Sequence, residues 1–279
     1  MDISAQEYRQ LHEGNFEDNT FIADITAMNG AQPDHRAWNE FSALLSEGSV
    51  LEIGPGTGHV LAAARASGRV VAGVEASEAH RRFIRTTWGI EEVFSTLNEL
   101  PKGFLYDNVI MVNVIEHVYD VVGLMKELRG HLSKDARVFI STVNAKGVVG
   151  AIVGTYWAMF KERDHVSFPS LASLQRLADG AGYRLNRQWS AELPFETPIG
   201  LMVALRDFVR EQRAQRDAEP GSRFASSPTP TSGRDQARTR KKKLLGQFYR
   251  AARRLDATRH AFGALGRAAT VKGIFVPLA

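Results

Sequence analysis

Between residues 48 and 191 short apolar runs alternate with amphipathic stretches, and this alternation limits the fold more than any single motif. SVLEI, RVVAGVE, EEVFS, DNVIMVNVI and ARVFISTVN read as five strands. HVLAAARASG, SEAHRRFIRTTWG and VVGLMKELRGHL read as the helices between them, with Ser77 as an N-cap and Gly68 and Gly89 as terminators. Strands separated by helices of roughly 10–15 residues build a mostly parallel sheet covered on both faces. The runs at 109–112 and 138–140 contain no polar residue, which suits central strands buried on both sides.

The pattern extends beyond this block. A helix over 37–45 carries Trp38, Phe41, Leu44 and Leu45 on one face, and Gly48 ends the segment. LASLQRLADGAG, started by Ser170 or its neighbour, reads as a helix, and YRLNRQWSA as a strand. Pro194 interrupts the rhythm. A helical stretch from about 199 to 215 leads into a Pro-, Ser- and Arg-rich piece too poor in apolar residues to order itself, with a mobile loop expected near 219–240. A basic amphipathic helix follows, and VKGIFVPL reads as a closing strand. A strand that returns after so long an interruption indicates an insertion within one domain. The chain is therefore expected to be a single domain: a helical cap over 1–47, a core over 48–193, an inserted lid or substrate-side region over 194–265, and a closing strand over 266–279.

Charge sharpens this division. Residues 206–260 hold 15 Lys and Arg against 6 Asp and Glu, a balance of +9 in a chain of net charge +4, which leaves −5 elsewhere. Such a basic segment attracts an anionic group, a membrane surface or a nucleic acid, or is simply solvated. The chain has no cysteine, which excludes disulfides, thiolate nucleophiles and sulfur-ligated metals. The first residues lack the basic-then-apolar order of a signal peptide, and no apolar run is long enough to cross a bilayer, so a cytoplasmic setting is expected.

LEIGPGTGHV, residues 51–60, places Gly54, Gly56 and Gly58 between the first strand and its helix. Such a turn lets a ligand approach the backbone and sets an anionic group near a helix N-terminus. Glu75, 17 residues after Gly58, ends the next strand, where a carboxylate can receive both hydroxyls of a ribose. Together they indicate an adenosine-containing cofactor. The dinucleotide fingerprint fits poorly, because the third glycine comes one residue early and His59 stands where a small side chain belongs.

The loop instead resembles the first motif of the class I S-adenosylmethionine-dependent methyltransferases. YDNVIMVNVIEHVYD, 106–120, resembles their fourth-strand segment, especially in the branch of the ubiquinone-biosynthesis O-methyltransferases, which carries a Glu-His pair there, here Glu116 and His117, with Asp120 after it. VFISTVN and DHVSFPSLASLQRLADGAGY resemble the fifth strand and a later segment of that branch. The resemblance covers roughly 34–190. It implies an α/β, Rossmann-like doubly wound sheet of about seven strands, the last antiparallel, with a helical basic insertion before it. It implies S-adenosyl-L-methionine as cofactor, with Glu52, Gly54, Gly56 and Gly58 around its methionine part, Glu75 on the ribose and Ala76 beside the adenine. Val112, Asn113 and Val114 are then expected at the cofactor, and Arg36 near its carboxylate. Many relatives have an Asp after the third strand for the adenine amine. This chain reads VFSTLNEL, leaving Ser95, Thr96 or a backbone group for the task, or an adenine held mainly by packing.

Methyl transfer to a hydroxyl needs a base, and His117 and His165 are the candidates. Glu116, adjacent to His117, reads as structural or cofactor-proximal, because neighbours on a helix do not share a face. Glu162 and Asp164 could join a histidine around a magnesium ion, but their spacing is that of ordinary loop acids, and no metal is expected. Trp157, Met159 and Phe160 could form an apolar acceptor wall, and Tyr8 and His12 could lie on an N-terminal helix over the cofactor. The expected acceptor is a small molecule, anionic or sugar-containing, bearing a hydroxyl or else an amine. No nucleic acid is expected, peripheral membrane contact is an alternative for the basic helices, and the oligomeric state is open. Two other functions are a nicotinamide-dependent oxidoreductase and a non-enzymatic nucleic-acid binder using RTRKKK.

Overall fold

The computed structural model describes residues 32–147, 165–191 and 270–278. They form one seven-stranded sheet. Its strands are β1 (Val50–Ile53), β2 (Val71–Val74), β3 (Val93–Phe94), β4 (Tyr106–Val112), β5 (Leu132–Val143), β6 (Tyr183–Ala191) and β7 (Thr270–Pro277). The helices are α1 (His35–Ser42), α2 (His59–Ala66), α3 (Glu78–Trp88), α4 (Val121–Leu128) and α5 (Leu171–Ala181). The strand order is β3-β2-β1-β4-β5-β7-β6. The pairs from β3 to β5 are parallel, and β7 lies antiparallel between β5 and β6.

Side-chain alternation divides the core into two layers. Val109, Met111, Val138 and Ile140 face one side, where Met125 and Leu128 of α4 and Leu174 and Ala178 of α5 pack. Ile110 and Phe139 face the other, against Trp38 and Phe41 of α1, Leu61 of α2 and Ile84 of α3. Successive strand residues point to opposite faces, so a run without polar residues fits only a strand covered twice. Each fully buried aliphatic side chain contributes about 1.5–3 kcal/mol.

Several helix ends follow the sequence. Asp34 Oδ1 accepts the Ala37 N–H and starts α1; Ser77 Oγ accepts the His80 N–H and starts α3. Gly89 and Gly182 close α3 and α5 in the left-handed conformation. Other boundaries differ from the sequence reading: the helix expected over 37–45 is α1 at His35–Ser42, and the one over VVGLMKELRGHL ends at Leu128 before a 3-10 turn. β4 stops at Val112 because Asn113 turns left-handed, φ 54°, and Ile115–His117 then forms a single 3-10 turn. β5 begins four residues earlier than the expected ARVFISTVN strand, at Leu132, across a register shift against β4.

The glycine loop after β1, Glu75 after β2, Asn113 after β4 and Asn144 after β5 all lie at the C-terminal edge of the parallel strands, where ligands bind in open α/β sheets. Thr270 pairs with both Val143 and Ala191, and its hydroxyl donates to the Ala191 carbonyl at 2.5 Å. The two ends of the 192–269 connection are therefore neighbours, and both sit at that same edge. The expected helices, mobile loop and lid fall within 192–269 and lie outside the described residues, as do Tyr8, His12, Trp157, Met159, Phe160, Glu162 and Asp164.

Candidate active site

The three glycines of the loop have distinct reasons to be glycine. All three have positive φ, between 55° and 71°. A Cβ on Gly58 would lie 2.7 Å from Ile84 Cγ1 and 3.3 Å from Trp88 Cδ1. One on Gly54 would lie 2.7 Å from Val114 Cγ2. At Gly56 a Cβ would meet no atom of the described residues within 4 Å. Behind the loop, Trp88 Nε1 donates to the Thr57 carbonyl at 2.8 Å, and Thr57 Oγ1 lies 2.8 Å from His59 Nδ1. His59 is buried with its ring edge-on to Trp88. The side chain that spoils the dinucleotide fingerprint is thus a packed component of the loop.

Glu75 anchors the loop from β2. Its Oε2 accepts the Gly56 N–H and its Oε1 the Ser77 N–H, both at 2.9 Å. His80 Nδ1 stands 3.7 Å from the same Oε1. Each carboxylate oxygen keeps a second lone pair, so a carboxylate already fixed by backbone can still accept hydroxyls. Glu52 sits on the neighbouring strand, opposite Gly73 in the β1–β2 ladder. It is 6% exposed and its Oε2 has no hydrogen-bond partner. Burial, reinforced by the charge of Glu75 and opposed by a backbone hydrogen bond from Leu61, pushes the Glu52 carboxyl up to about 8.

The other expected cofactor residues flank this centre. Ala76 is exposed, directly after Glu75. Thr96 is exposed and precedes a 3-10 turn over Leu97–Glu99. Ser95 gives both its hydroxyl and its N–H to Glu99, which hold that carboxyl below the usual range, so Ser95 is already committed. Val112 and Val114 are half-buried, and the Asn113 N–H donates to Ser141 at 2.8 Å. The Asp34 N–H donates to the His59 carbonyl at 2.9 Å, which brings the start of α1 to the loop. Arg36, two residues on, has its Nε 3.8 Å from Glu40 on the exposed side of that helix.

Across the edge, Glu116, His117 and His165 converge. One carboxylate oxygen and one nitrogen from each ring lie within 4.8 Å of one another. The two imidazoles meet edge to face with centroids 4.7 Å apart. The segment carrying His165 is pinned there by the Val166 and Ser167 N–H groups, which donate to the Glu116 carbonyl at 2.8 and 3.1 Å. The Glu116 side chain is fully buried; its Oε2 accepts from Thr142 Oγ1 at 2.8 Å, while Oε1 has no partner. Burial raises its carboxyl above the usual range, against the lowering effect of its hydrogen bonds and of the two histidines. The sequence reading kept Glu116 apart from the histidines on the geometry of a helix, but it sits on one 3-10 turn clamped by a remote segment. Thr142, Ile84, Trp88 and His80 were not singled out, and nothing local marks them. Asp120 caps α4 through the Gly123 N–H at 2.7 Å.

Beside the histidines lies an apolar cavity of about 190 Å³. Ile115, Val121, Phe168, Pro169, Leu174 and Leu177 line it. Phe168 also stacks edge-on against His165. The described edge therefore offers a glycine cradle with two carboxylates, then a carboxylate–histidine cluster, then an apolar wall.

The sheet order, the antiparallel seventh strand and this edge define the class I S-adenosylmethionine-dependent methyltransferase fold. Residues 32–188 match the family model described as a methyltransferase domain, and the chain belongs to that family. Among curated proteins it is 30% identical over 142 residues to a ubiquinone biosynthesis O-methyltransferase of Rickettsia felis, across 47% of this chain and 57% of that protein. It is 26% identical over 186 residues to the protein of the same name in Rickettsia conorii, across 60% of this chain and 63% of that protein. The matches thus span less than two thirds of these relatives. A solved SAM-dependent methyltransferase of Archaeoglobus fulgidus superposes with a TM-score of 0.52 at 15% identity, covering 96% of this chain and 99% of the other. Phosphoethanolamine N-methyltransferase 2 of Haemonchus contortus superposes with a TM-score of 0.56 at 16% identity, covering 100% of this chain and 61% of the other.

Proposed function

We propose that the chain transfers a methyl group from S-adenosyl-L-methionine to a hydroxyl of a small metabolite, with a histidine as the base. The convergence of His117 and His165 with Glu116 at the cofactor edge carries this reading. The loop fits the cofactor on two observations: the open space at Gly56 allows close approach, and the orphaned Glu52 oxygen offers an acceptor to an ammonium group. When bound, S-adenosylmethionine supplies an electrophilic methyl on a sulfonium whose sulfur leaves as a thioether. Gly54, Gly56 and Gly58 take the methionine part, with Glu52, and Glu75 takes the ribose hydroxyls. Ala76, Thr96 and residues 112–114 flank the adenosine, and Arg36 stands on the helix tied to the loop.

The acceptor oxygen must reach about 3 Å from the methyl carbon, in line with the leaving sulfur. One imidazole removes the hydroxyl proton as the new oxygen–carbon bond forms, with the Glu116 carboxyl beside the resulting imidazolium. The apolar cavity beside His165 receives a non-polar part of the acceptor. The O-methyltransferase names of the Rickettsia relatives support a hydroxyl acceptor over an amine. The net charge of +9 over residues 206–260 favours an anionic or sugar-containing acceptor. Incubation of the protein with S-adenosylmethionine and pooled metabolites, read by mass spectrometry for the gain of one methylene, tests the activity. An amine as the only methylated product would remove the base role.

A second reading rests on the same cluster. Glu116, His117 and His165 provide a carboxylate and two imidazoles, a donor set suited to a divalent transition metal. A metal there would lower the pKa of the acceptor hydroxyl and leave neither imidazole free as a base. Activity that survives exhaustive chelation excludes this reading; activity restored only by a divalent ion supports it.

A further inference from the structure

We propose that Trp88 is a positioning residue for the cofactor: from the far end of α3 its indole N–H sets the conformation of the glycine loop that takes the methionine part. The proposal rests on the reading above that this loop holds that end of the cofactor.

The loop's own residues leave its backbone poorly fixed. Glycine takes positive and negative φ with nearly equal ease, and Gly56 and Gly58 flank Thr57 on both sides. Bonds from outside therefore choose the conformation. The Gly54 N–H donates to the Val74 carbonyl of β2 at 2.8 Å, and the Gly56 N–H to Glu75 at 2.9 Å. The peptide that joins Thr57 to Gly58 is held at both ends. The Gly58 N–H donates to the Pro55 carbonyl at 2.8 Å, and the Thr57 carbonyl accepts the Trp88 indole N–H at 2.8 Å. The first of these bonds lies within the loop and moves with it. The second ties the peptide to a helix.

Trp88 is itself held in place. It lies one turn after Ile84 on α3, and both face Gly58, where a Cβ would lie 3.3 Å from Trp88 Cδ1 and 2.7 Å from Ile84 Cγ1. The indole meets the rings of His59 and Phe83 edge-on, with centroids 5.2 and 6.4 Å away. Arg65 of α2 donates to the Trp88 carbonyl at 3.1 Å and also to the Gly89 carbonyl, which joins the end of α3 to the helix that follows the loop. α3 thus serves both halves of the cofactor: the N–H of its N-cap Ser77 holds Glu75, and its last residue holds the loop. Thr57 is buried, so its carbonyl, deprived of the indole, turns toward another donor. The loop then spends part of its time outside the binding shape, and apparent affinity falls by that fraction.

Trp88→Phe in the full chain tests this, since it keeps a ring in place and removes the donor. Titration calorimetry compares S-adenosylhomocysteine with methylthioadenosine, which lacks the amino-acid part. The expected result is S-adenosylhomocysteine bound about three- to tenfold more weakly than by wild type, with methylthioadenosine affinity unchanged. A general loss of packing does not produce this split. Trp189→Phe, a like truncation in the same apolar layer, should change neither affinity, and the same split there overturns the proposal. Equal loss for both ligands in Trp88→Phe, or loss for neither, also overturns it and leaves the cofactor reading intact. If Trp88→Phe does not fold, nuclear magnetic resonance of the wild-type Trp88 indole N–H decides. Slower solvent exchange with S-adenosylhomocysteine than with methylthioadenosine supports the proposal, and equal exchange overturns it. Wild type that binds neither ligand removes the cofactor reading and this proposal with it.

Discussion

Alanine at Gly56 and alanine at Gly58 should damage this protein in different ways, although both sit in one loop with similar backbone angles. Their φ values are +55° and +71°, so an L side chain at either costs about 1–2 kcal/mol in backbone strain. At Gly56 no atom of the described residues lies within 4 Å of the new methyl, and it adds no packing cost against them. At Gly58 the methyl would press on Ile84 and Trp88, and overpacking of this kind adds about 1–3 kcal/mol. The expected destabilisation is thus about 1–2 kcal/mol for Gly56→Ala and about 2–5 kcal/mol for Gly58→Ala. Urea unfolding followed by circular dichroism measures both. Binding should rank them in the opposite sense to stability: folded Gly56→Ala should bind S-adenosylhomocysteine at least tenfold more weakly, a loss of about 1.4 kcal/mol, because the added methyl fills the space open to ligand. The reasoning is refuted if Gly58→Ala is no less stable than Gly56→Ala, or if Gly56→Ala binds as wild type does.

Glu52 carries a stability signature of its own. Its folded carboxyl titrates near 8, against 4.5 unperturbed, so the unfolded chain loses that proton first and wild-type stability falls as pH rises between these values. Glu52→Gln should remove roughly 3–5 kcal/mol of that fall, read as a urea midpoint that declines less than wild type from pH 5 to 8; parallel declines would contradict it. Glu75→Ala should weaken S-adenosylhomocysteine binding by about 1.5–3 kcal/mol, since it removes charge-assisted acceptors and frees the Gly56 and Ser77 N–H groups. Unchanged affinity in the folded variant would end the ribose assignment. His117→Ala or His165→Ala should lower turnover by roughly 10²–10⁴-fold with cofactor affinity preserved, and full activity in both would end the proposed base.

The sequence by itself determined the features that depend on neighbours along the chain. Helices began at Ser77 and ended at Gly89 because capping is settled within a turn, and the apolar runs at 109–112 and 138–140 became double-covered strands because burial follows a period of two. The three glycines were legible as a cofactor loop, since positive φ is a local demand. What distinguishes Gly56 from Gly58 was not legible, because Ile84 and Trp88 reach the loop only when α3 packs on α2. β4 was read too long for a similar reason: Asn113 turns left-handed at the sheet edge, and no period in the sequence announces that. The carboxylates differ most of all. Glu52, Glu75 and Glu116 are one residue type, yet Glu75 is bound by backbone N–H groups, Glu52 is stranded beside it, and Glu116 is clamped by Thr142 and the His165 segment. Burial and partners remote in sequence, Gly56 for Glu75 and Thr142 and Val166 for Glu116, set their surroundings, and only the folded chain brings these together.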